Sequence, residues 1–358
     1  MPDDAGSHVP EGGRTVGVGL VERYLDIWTA RKLGVNTLTR DAIENYQLEK
    51  IKETINWAAK NSPFYGELYR GVTVETWEDF RRLPFTSPAD VYERGMDMVC
   101  VAQSQISRIV TMDTSGTTGR PKRIYFTEED QELTTDFFHN GMQLMVDSSD
   151  TVMILMPCRR PGSIGDLLKK GLERFHVRVI PYGLPDGSDD NLILAMMEQE
   201  QVTCAVALPT QLAALAEKAG GRRIPMGTVL LSAEYVSPES RRIIEKAWGC
   251  RIFEHYGMTE MGLGCAVSCP QLCGCHIRES DLYLEIIDPV TGQVVPDGEE
   301  GEVVFTTLTR KGMPFIRYRT GDWSSFLTQP CGCGSVLKRI SRVGDRGVRK
   351  GAWKVNER

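Results

Sequence analysis

No apolar stretch in this 358-residue chain approaches the roughly 18–20 residues that a bilayer-crossing helix requires, which excludes a membrane span of that kind. The first sixteen residues carry Asp3, Asp4 and Glu11 among several glycines, and they lack the apolar centre of a secretory leader. Positive charge is scarce as well. Lys and Arg number 42 against 48 Asp and Glu, so the formal charge is −6, the opposite of what non-specific nucleic-acid binding needs. No internal repeat or low-complexity tract is visible. These absences predict a cytoplasmic protein with neither nucleic-acid nor membrane partners. What remains is ordinary for a globular protein, 41% hydrophobic and 25% charged, with length enough for two or three lobes.

The ten cysteines are unevenly spread. Cys100, Cys158, Cys204 and Cys250 stand singly beside apolar residues and read as small buried hydrophobes. The others form two groups, Cys265, Cys269, Cys273 and Cys275, then Cys331 and Cys333. In a reducing compartment, clustered cysteines suggest a metal before disulfides.

The pattern along the chain divides it into five parts. Residues 1–18 form a Gly- and Asp-rich leader, and 19–107 read as mainly helical. Within the latter, Ile43, Ile51, Ile55 and Ala58 recur at helical spacing, and Ser87-Pro88-Ala89-Asp90 is a helix start. Residues 108–260 alternate short β-branched runs with helical stretches, which predicts an α/β core with a mostly parallel sheet. Its strands fall at Arg108–Thr111, Thr151–Met156, Arg178–Ile180, Thr203–Leu208, Thr228–Leu231 and Arg251–Phe253, with helices at Pro209–Ala219 and Pro238–Trp248 among them. Residues 261–340 read as a β subdomain, with antiparallel strands at Tyr283–Ile287, Glu302–Thr307 and Phe315–Tyr318 and a Cys/His metal site. Residues 341–358 complete the chain.

The loop after Thr111 is the most informative segment. Thr114, Ser115, Gly116, Thr117, Thr118 and Gly119 precede Arg120-Pro121-Lys122. Glycines let the backbone approach a phosphate, hydroxyls add donors, and Lys122 adds positive charge. The spacing is not that of a Walker A loop, and a strand rather than a helix follows. Taken alone, such a turn is equally a hairpin loop.

Three further motifs follow in order: Ser232-Ala233-Glu234, His255-Tyr256-Gly257-Met258-Thr259-Glu260, and Arg317-Tyr318-Arg319-Thr320-Gly321-Asp322. In this order the four motifs resemble those of the adenylate-forming enzymes, the superfamily of acyl-CoA synthetases, adenylation domains and luciferases. Within it the sequence is most similar to the phenylacetate–coenzyme A ligases, a likeness that Asn61-Ser-Pro-Phe-Tyr65, Leu83-Pro-Phe-Thr86 and Leu284-Glu-Ile-Ile-Asp-Pro289 support. The resemblance implies an α/β N-terminal lobe that activates a carboxylic acid with ATP and Mg²⁺, releases AMP and passes the acyl group to coenzyme A. It implies that Thr114 to Gly119 and Lys122 cradle phosphates, that Thr259 donates to the α-phosphate, and that Glu260 holds magnesium. It further implies that Ala233, Glu234, His255, Tyr256, Gly257 and Met258 frame the adenine and that Asp322 accepts both ribose hydroxyls. Arg342, in Ser341-Arg-Val-Gly-Asp345, is similar to the family's second ribose and hinge residue, although Gly344 stands where that pattern has an acid or lysine.

Some of these ligases carry Cys-x₆-His followed by Pro-Cys-x-Cys-Gly. The match here is Cys269, His276, Cys331 and Cys333, and three thiolates with one imidazole suit a structural zinc. The near-helical spacing of Cys265, Cys269 and Cys273 leaves an iron–sulfur set open beside it. A metal-stabilised interaction module, or a nucleotide-binding relative without full ligase activity, stands as the alternative function, and a homodimer is left open.

Two departures from the family pattern qualify the expectation. The sequence ends at Arg358, where the resemblance implies that residues 341–358 are the hinge and the start of a missing mobile lid domain, so impaired adenylation and no thioesterification are expected of a lidless chain. Pro157-Cys-Arg-Arg-Pro-Gly-Ser163 stands where relatives place glycine and aromatic residues, so Arg159 and Arg160 are candidates for pairing with an anionic substrate group or for solvated loop charges. Tyr182 and Ala207-Leu-Pro-Thr210 are acyl-pocket candidates by position.

Overall fold

A computed structural model describes residues 23–112 and 121–343. Five helices lead: α1 (Tyr24–Leu33), α2 (Arg40–Asn61), α3 (Pro63–Leu68), α4 (Trp77–Arg81) and α5 (Pro88–Arg94). Their starts are dictated locally. Ser62 and Ser87 each accept a hydrogen bond from the first turn and are followed by proline, which fits the first helical position because its missing N–H is not needed there.

A hairpin follows, β1 (Arg108–Met112) with β2 (Lys122–Phe126), and pairs Met112 with Lys122. The expected placement of the first strand in the parallel sheet is therefore corrected. Only nine residues separate Met112 from Lys122, fewer than the dozen or more that a parallel crossover needs, and the two strands pair antiparallel.

The α/β core then runs α6 (Glu128–Met142), β3 (Thr151–Leu155), α7 (Ile164–Glu173), β4 (Arg178–Pro181), α8 (Asp190–Gln199), β5 (Cys204–Ala207), α9 (Pro209–Lys218), β6 (Thr228–Leu231), α10 (Pro238–Trp248) and β7 (Arg251–Tyr256). Strands β8 (Ala266–Ser268), β9 (Cys275–Ile277), β10 (Leu282–Ile287), β11 (Gly301–Thr307), β12 (Tyr318–Ser324) and β13 (Arg339–Ile340) complete the described chain.

Eight strands form one sheet in the order β13-β9-β8-β7-β6-β5-β3-β4. From β4 to β7 neighbours are parallel, and from β7 to β13 they are antiparallel. Along β3, Val152 and Ile154 enter the core beneath α1, α6 and α7, while Met153 and Leu155 enter the core beneath α8, α9 and α10. A strand covered on both faces reads as an unbroken apolar run, which is why Thr151–Met156 was legible as a strand.

The expected boundary at residue 260 is crossed by this sheet. β8, β9 and β13 extend the nucleotide-core sheet, and the separate antiparallel unit is only β10-β11-β12. The helical segment is also stitched to it: Trp28 donates to Asp136 at 2.9 Å, Lys32 to Asp281 at 2.6 Å, and Arg40 to Glu279 at 2.6 and 3.0 Å. The strand expected at Phe315–Tyr318 begins only at Tyr318. Arg317 has φ +46°, a left-handed conformation that interrupts a ladder, and its guanidinium turns inward to Glu285.

Candidate active site

A cavity of about 440 Å³ opens at the carboxyl ends of β6 and β7, where the sheet changes from parallel to antiparallel. The carboxyl edge of a parallel sheet is where α/β folds receive ligands. Ala233, Glu234 and Tyr235, which follow β6, line one wall. His255, Tyr256, Gly257 and Met258, at and after the end of β7, line the next, and Asp322, Ser341 and Arg342 close the third.

Local geometry follows from the residue types. Ala233 has φ +69°, turning the chain sharply at the rim. The Glu234 carboxylate accepts from Thr210, whose hydroxyl and N–H donate at 2.6 and 3.3 Å. A Cβ on Gly257 would lie 2.7 Å from the Leu263 carbonyl oxygen, a space only glycine fits. Tyr256 donates to Asp322 Oδ2 at 2.9 Å. Burial, reinforced by the Asp322 charge, raises the tyrosine pKa well above its usual value, so the phenol keeps its proton and orients the carboxylate. Arg342 Nε lies 3.2 Å from Glu254 Oε1, and Arg241 reaches the same oxygen.

His255 is held from behind, with Nδ1 2.8 Å from Ser232 Oγ and the ring about 6 Å from both Phe137 and Phe138. Burial, with Arg278 adding repulsion, lowers its pKa to about 4. The unfolded residue titrates near about 6.5, so below that pH the unfolded chain binds the extra proton. Stability is expected to fall as pH drops from about 6.5 toward about 4, by about 2 kcal/mol at pH 5. Urea midpoints at pH 7 and pH 5 test this: the gap should narrow in His255→Asn, and an unchanged gap would contradict it.

Beside the cavity, Thr259–Met261 forms a 3-10 turn that starts immediately after Met258. Thr259 is half-buried, and Glu260 is only 1% exposed. Glu260 Oε1 forms an ion pair with Lys122 and accepts from the Tyr318 hydroxyl at 3.1 Å. Arg310 donates to the Glu260 carbonyl at 2.8 Å and to that of Tyr125 at 3.0 Å, tying the turn to β2. The structure thus brings Lys122 to Glu260, and places Tyr318 and Asp322 on one strand. Thr114, Ser115, Gly116, Thr117, Thr118 and Gly119 lie outside the described residues.

A second constellation brackets the antiparallel half of the large sheet. Cys269, His276, Cys331 and Cys333 are all buried, and their ligand atoms lie within 4.8 Å of one another. Cys269 and Cys331 sulfurs are 3.6 Å apart, and Cys333 Sγ lies 3.4 Å from His276 Nε2. Tetrahedral zinc with ordinary bond lengths sets such distances at about 3.8 and 3.6 Å. The exposed Cys273 stands 3.6 Å from Cys331 and is gripped by Arg339 at 2.9 Å. The one-face set of Cys265, Cys269 and Cys273, left open beside the quartet, is not brought together. Residues 266–268 are strand, not helix, and Cys265 is buried in the large core, apart from the cluster of Cys269, Cys331 and Cys333.

The family profile described as AMP-binding enzyme matches residues 67–308. The chain belongs to the AMP-binding enzyme family. It is 29% identical over 327 residues to a phenylacetate–coenzyme A ligase of Pseudomonas putida, covering 87% of this chain and 72% of that protein. It is 26% identical over 321 residues to the Thermus thermophilus phenylacetate–coenzyme A ligase, covering 86% and 71%. A solved 2-hydroxyisobutyryl-CoA ligase, in complex with 2-HIB-AMP and CoA in the thioesterification state, shares the fold. The TM-score is 0.77 at 23% identity, over 86% of this chain and 70% of that one.

Membership of the family carries the general chemistry expected from the motifs: a carboxylic acid is activated as an acyl-adenylate and then transferred to coenzyme A. No described helix is long and apolar enough to cross a membrane. Arg159 and Arg160 are exposed, and neither they nor Tyr182, which donates to Asp189 at 3.1 Å, lines the cavity. Sequence reasoning missed Glu254, the shared acceptor of Arg241 and Arg342, and the roles of Tyr318 and Arg310. Tyr318 was visible inside its motif, but nothing local signals that its hydroxyl meets Glu260, 58 residues away.

Proposed function

We propose that this chain activates an aryl carboxylic acid with ATP, using Asp322, Tyr256, Arg342 and His255 to seat the nucleoside and Thr259, Glu260 and Lys122 to serve the phosphates. The observation that carries the reading is convergence: eight expected site residues from four separate segments line a single cavity, directly beside the Lys122–Glu260 pair. The likeness to phenylacetate–coenzyme A ligases supports the aryl class of acid.

The substrate carboxylate attacks the α-phosphate, the α–β bond breaks, and pyrophosphate leaves. Negative charge spreads over phosphate oxygens, so the work is positioning and electrostatic stabilisation. In this reading Lys122 and the Thr114–Gly119 loop take charge on the departing phosphates, and the Thr259 hydroxyl donates to the α-phosphate. Asp322, oriented by Tyr256, accepts from the ribose hydroxyls, as an ionised acid can. The neutral His255 ring, anchored on Ser232, packs at the base pocket without adding charge. Transfer to coenzyme A belongs to a chain that also carries the lid domain: there the thiolate attacks the acyl carbonyl, and AMP leaves with the bonding electron pair.

Glu260, a hard oxygen donor beside the phosphate site, fits magnesium, which neutralises polyphosphate charge when bound. The four-ligand Cys/His set fits zinc, which would cross-link β9 to the segments after β8 and before β13. One zinc per chain is expected by metal analysis, without the visible absorption of an iron–sulfur cluster. Chelation is expected to lower the melting temperature by more than about 5 °C, and Cys333→Ser to abolish metal binding. Iron, or a chelator-insensitive melt, would defeat the assignment. A Cys/His set arranged for a metal rather than for disulfides fits a reducing compartment, the cytoplasm.

Pyrophosphate release with hydroxamate trapping across a panel of carboxylic acids, run beside AMP binding, tests the function. Acid-dependent release that is strongest with aryl acids supports it. Nucleotide binding without acid-dependent release favours a non-catalytic relative, and no nucleotide binding defeats both.

A further inference from the structure

We infer that Lys122 and Glu260 form a latch that keeps the magnesium position closed until a polyphosphate arrives, so that metal binding follows or accompanies nucleotide binding and never precedes it. The inference rests on the proposed roles of the two residues and goes beyond them, because those roles do not say how two positive charges that claim one carboxylate oxygen are managed.

The geometry makes the conflict explicit. Glu260 is 1% exposed, and one of its oxygens, Oε1, already meets both the Lys122 ammonium and the Tyr318 hydroxyl. Lys122 Nζ also lies 3.4 Å from the Tyr318 hydroxyl, 5.7 Å from the Tyr92 ring and 6.0 Å from the Tyr318 ring, an aromatic pocket that suits a cation. A divalent cation approaching this carboxylate alone must sit beside the ammonium or expel it. The first puts like charges in contact in a poorly solvated place, and the second strips Lys122 of its counter-ion.

A polyphosphate removes the difficulty. Lys122 begins β2, and the residue before it ends the loop of threonines and glycines that is suited to phosphate. An incoming phosphate offers the ammonium a second anion, and a lysine side chain is long and flexible enough to swing to it. The carboxylate is then free for the metal that accompanies the phosphate. Every charge keeps an opposite partner at each stage: the ammonium rests on the carboxylate before, and on phosphate after, when the carboxylate would be left to help hold the metal. Arg310 holds the Glu260 carbonyl at 2.8 Å, so the turn that carries the carboxylate stays in place while its partner changes.

Mn²⁺ serves as the probe, with free ion counted by electron paramagnetic resonance. The wild type without nucleotide is expected to bind Mn²⁺ weakly, and Lys122→Met to bind it at least about ten-fold more tightly. Adding Glu260→Gln to Lys122→Met should erase that gain, which locates it at this carboxylate. Lys122→Gln, whose amide can still hydrogen-bond Glu260, provides a second opening variant should the methionine variant not fold, and thermal melts identify folded protein. Wild type binding Mn²⁺ as tightly as a folded Lys122 variant, or a gain that survives Glu260→Gln, overturns the latch. Titration of the wild type with a non-cleavable ATP analogue separates the two levels. If the analogue binds and Mn²⁺ alone binds equally well with and without Lys122, only the latch fails. If the analogue does not bind, the proposed function fails with it.

Discussion

Asp322→Ala is expected to weaken AMP binding by about two to four orders of magnitude while leaving the fold intact. A carboxylate accepting two hydroxyl donors contributes about 1.5–3 kcal/mol per bond, and alanine removes both. The side chain is half-buried at the cavity wall, and its partner Tyr256 keeps its own ring packing when the acceptor is lost. Asp322→Asn, which preserves shape but not charge, should give an intermediate loss. Calorimetric titration with AMP, paired with thermal melts, checks both. Nucleotide affinity within about three-fold of wild type in a folded Asp322→Ala protein would remove the ribose assignment and with it the orientation of the whole nucleotide.

Arg317→Met is expected to destabilise the chain by about 3–5 kcal/mol, the largest stability effect at any motif residue. Arg317 is 2% exposed and faces Glu285, itself 1% exposed, through two hydrogen bonds of 3.1 and 3.0 Å. Its remaining donors reach the carbonyls of Arg81 and Leu83, and its guanidinium stacks 4.0 Å from the Phe85 ring. Removing it strands a buried carboxylate and leaves two carbonyls unpaired. Burial already raises the Glu285 pKa despite Arg317, so the orphaned acid takes up a proton instead of staying charged. Denaturant midpoints measure the loss. The double variant Arg317→Met/Glu285→Leu should recover much of it, because an apolar pair of similar volume avoids burying a lone charge. A midpoint unchanged by Arg317→Met would show that the pair carries no structural weight.

These two predictions concern residues five positions apart in one motif, yet they separate nucleotide binding from folding. That separation was not readable in Arg317-Tyr318-Arg319-Thr320-Gly321-Asp322, where both charges are equally prominent. Strand β12 decides it: Asp322 reaches the cavity, whereas Arg317 precedes the strand in a left-handed turn that drives its side chain beneath the β10–β12 sheet. The same applies to the cysteines. Cys269 and Cys265 look alike in sequence, but β8 lies between them, so one thiol enters a metal-like cluster and the other an aromatic core.

Much was nonetheless legible. The cap at Ser87, with Asp90 three residues on, was readable because a capping box closes within one turn. The buried strands were readable because a sheet covered on both faces leaves a continuous apolar run. The four motifs, and the chemistry their residue types can perform, were likewise present in the order of residues alone. Tertiary structure alone decided that Lys122 meets Glu260 across 138 positions, that β8, β9 and β13 join the core sheet, and that Tyr256 orients Asp322. The physical reason is range. Caps, turns and periodicity are interactions among neighbours, whose free energies depend on a few adjacent residues. Ion pairs and strand order depend on which distant surfaces the whole chain can bury together.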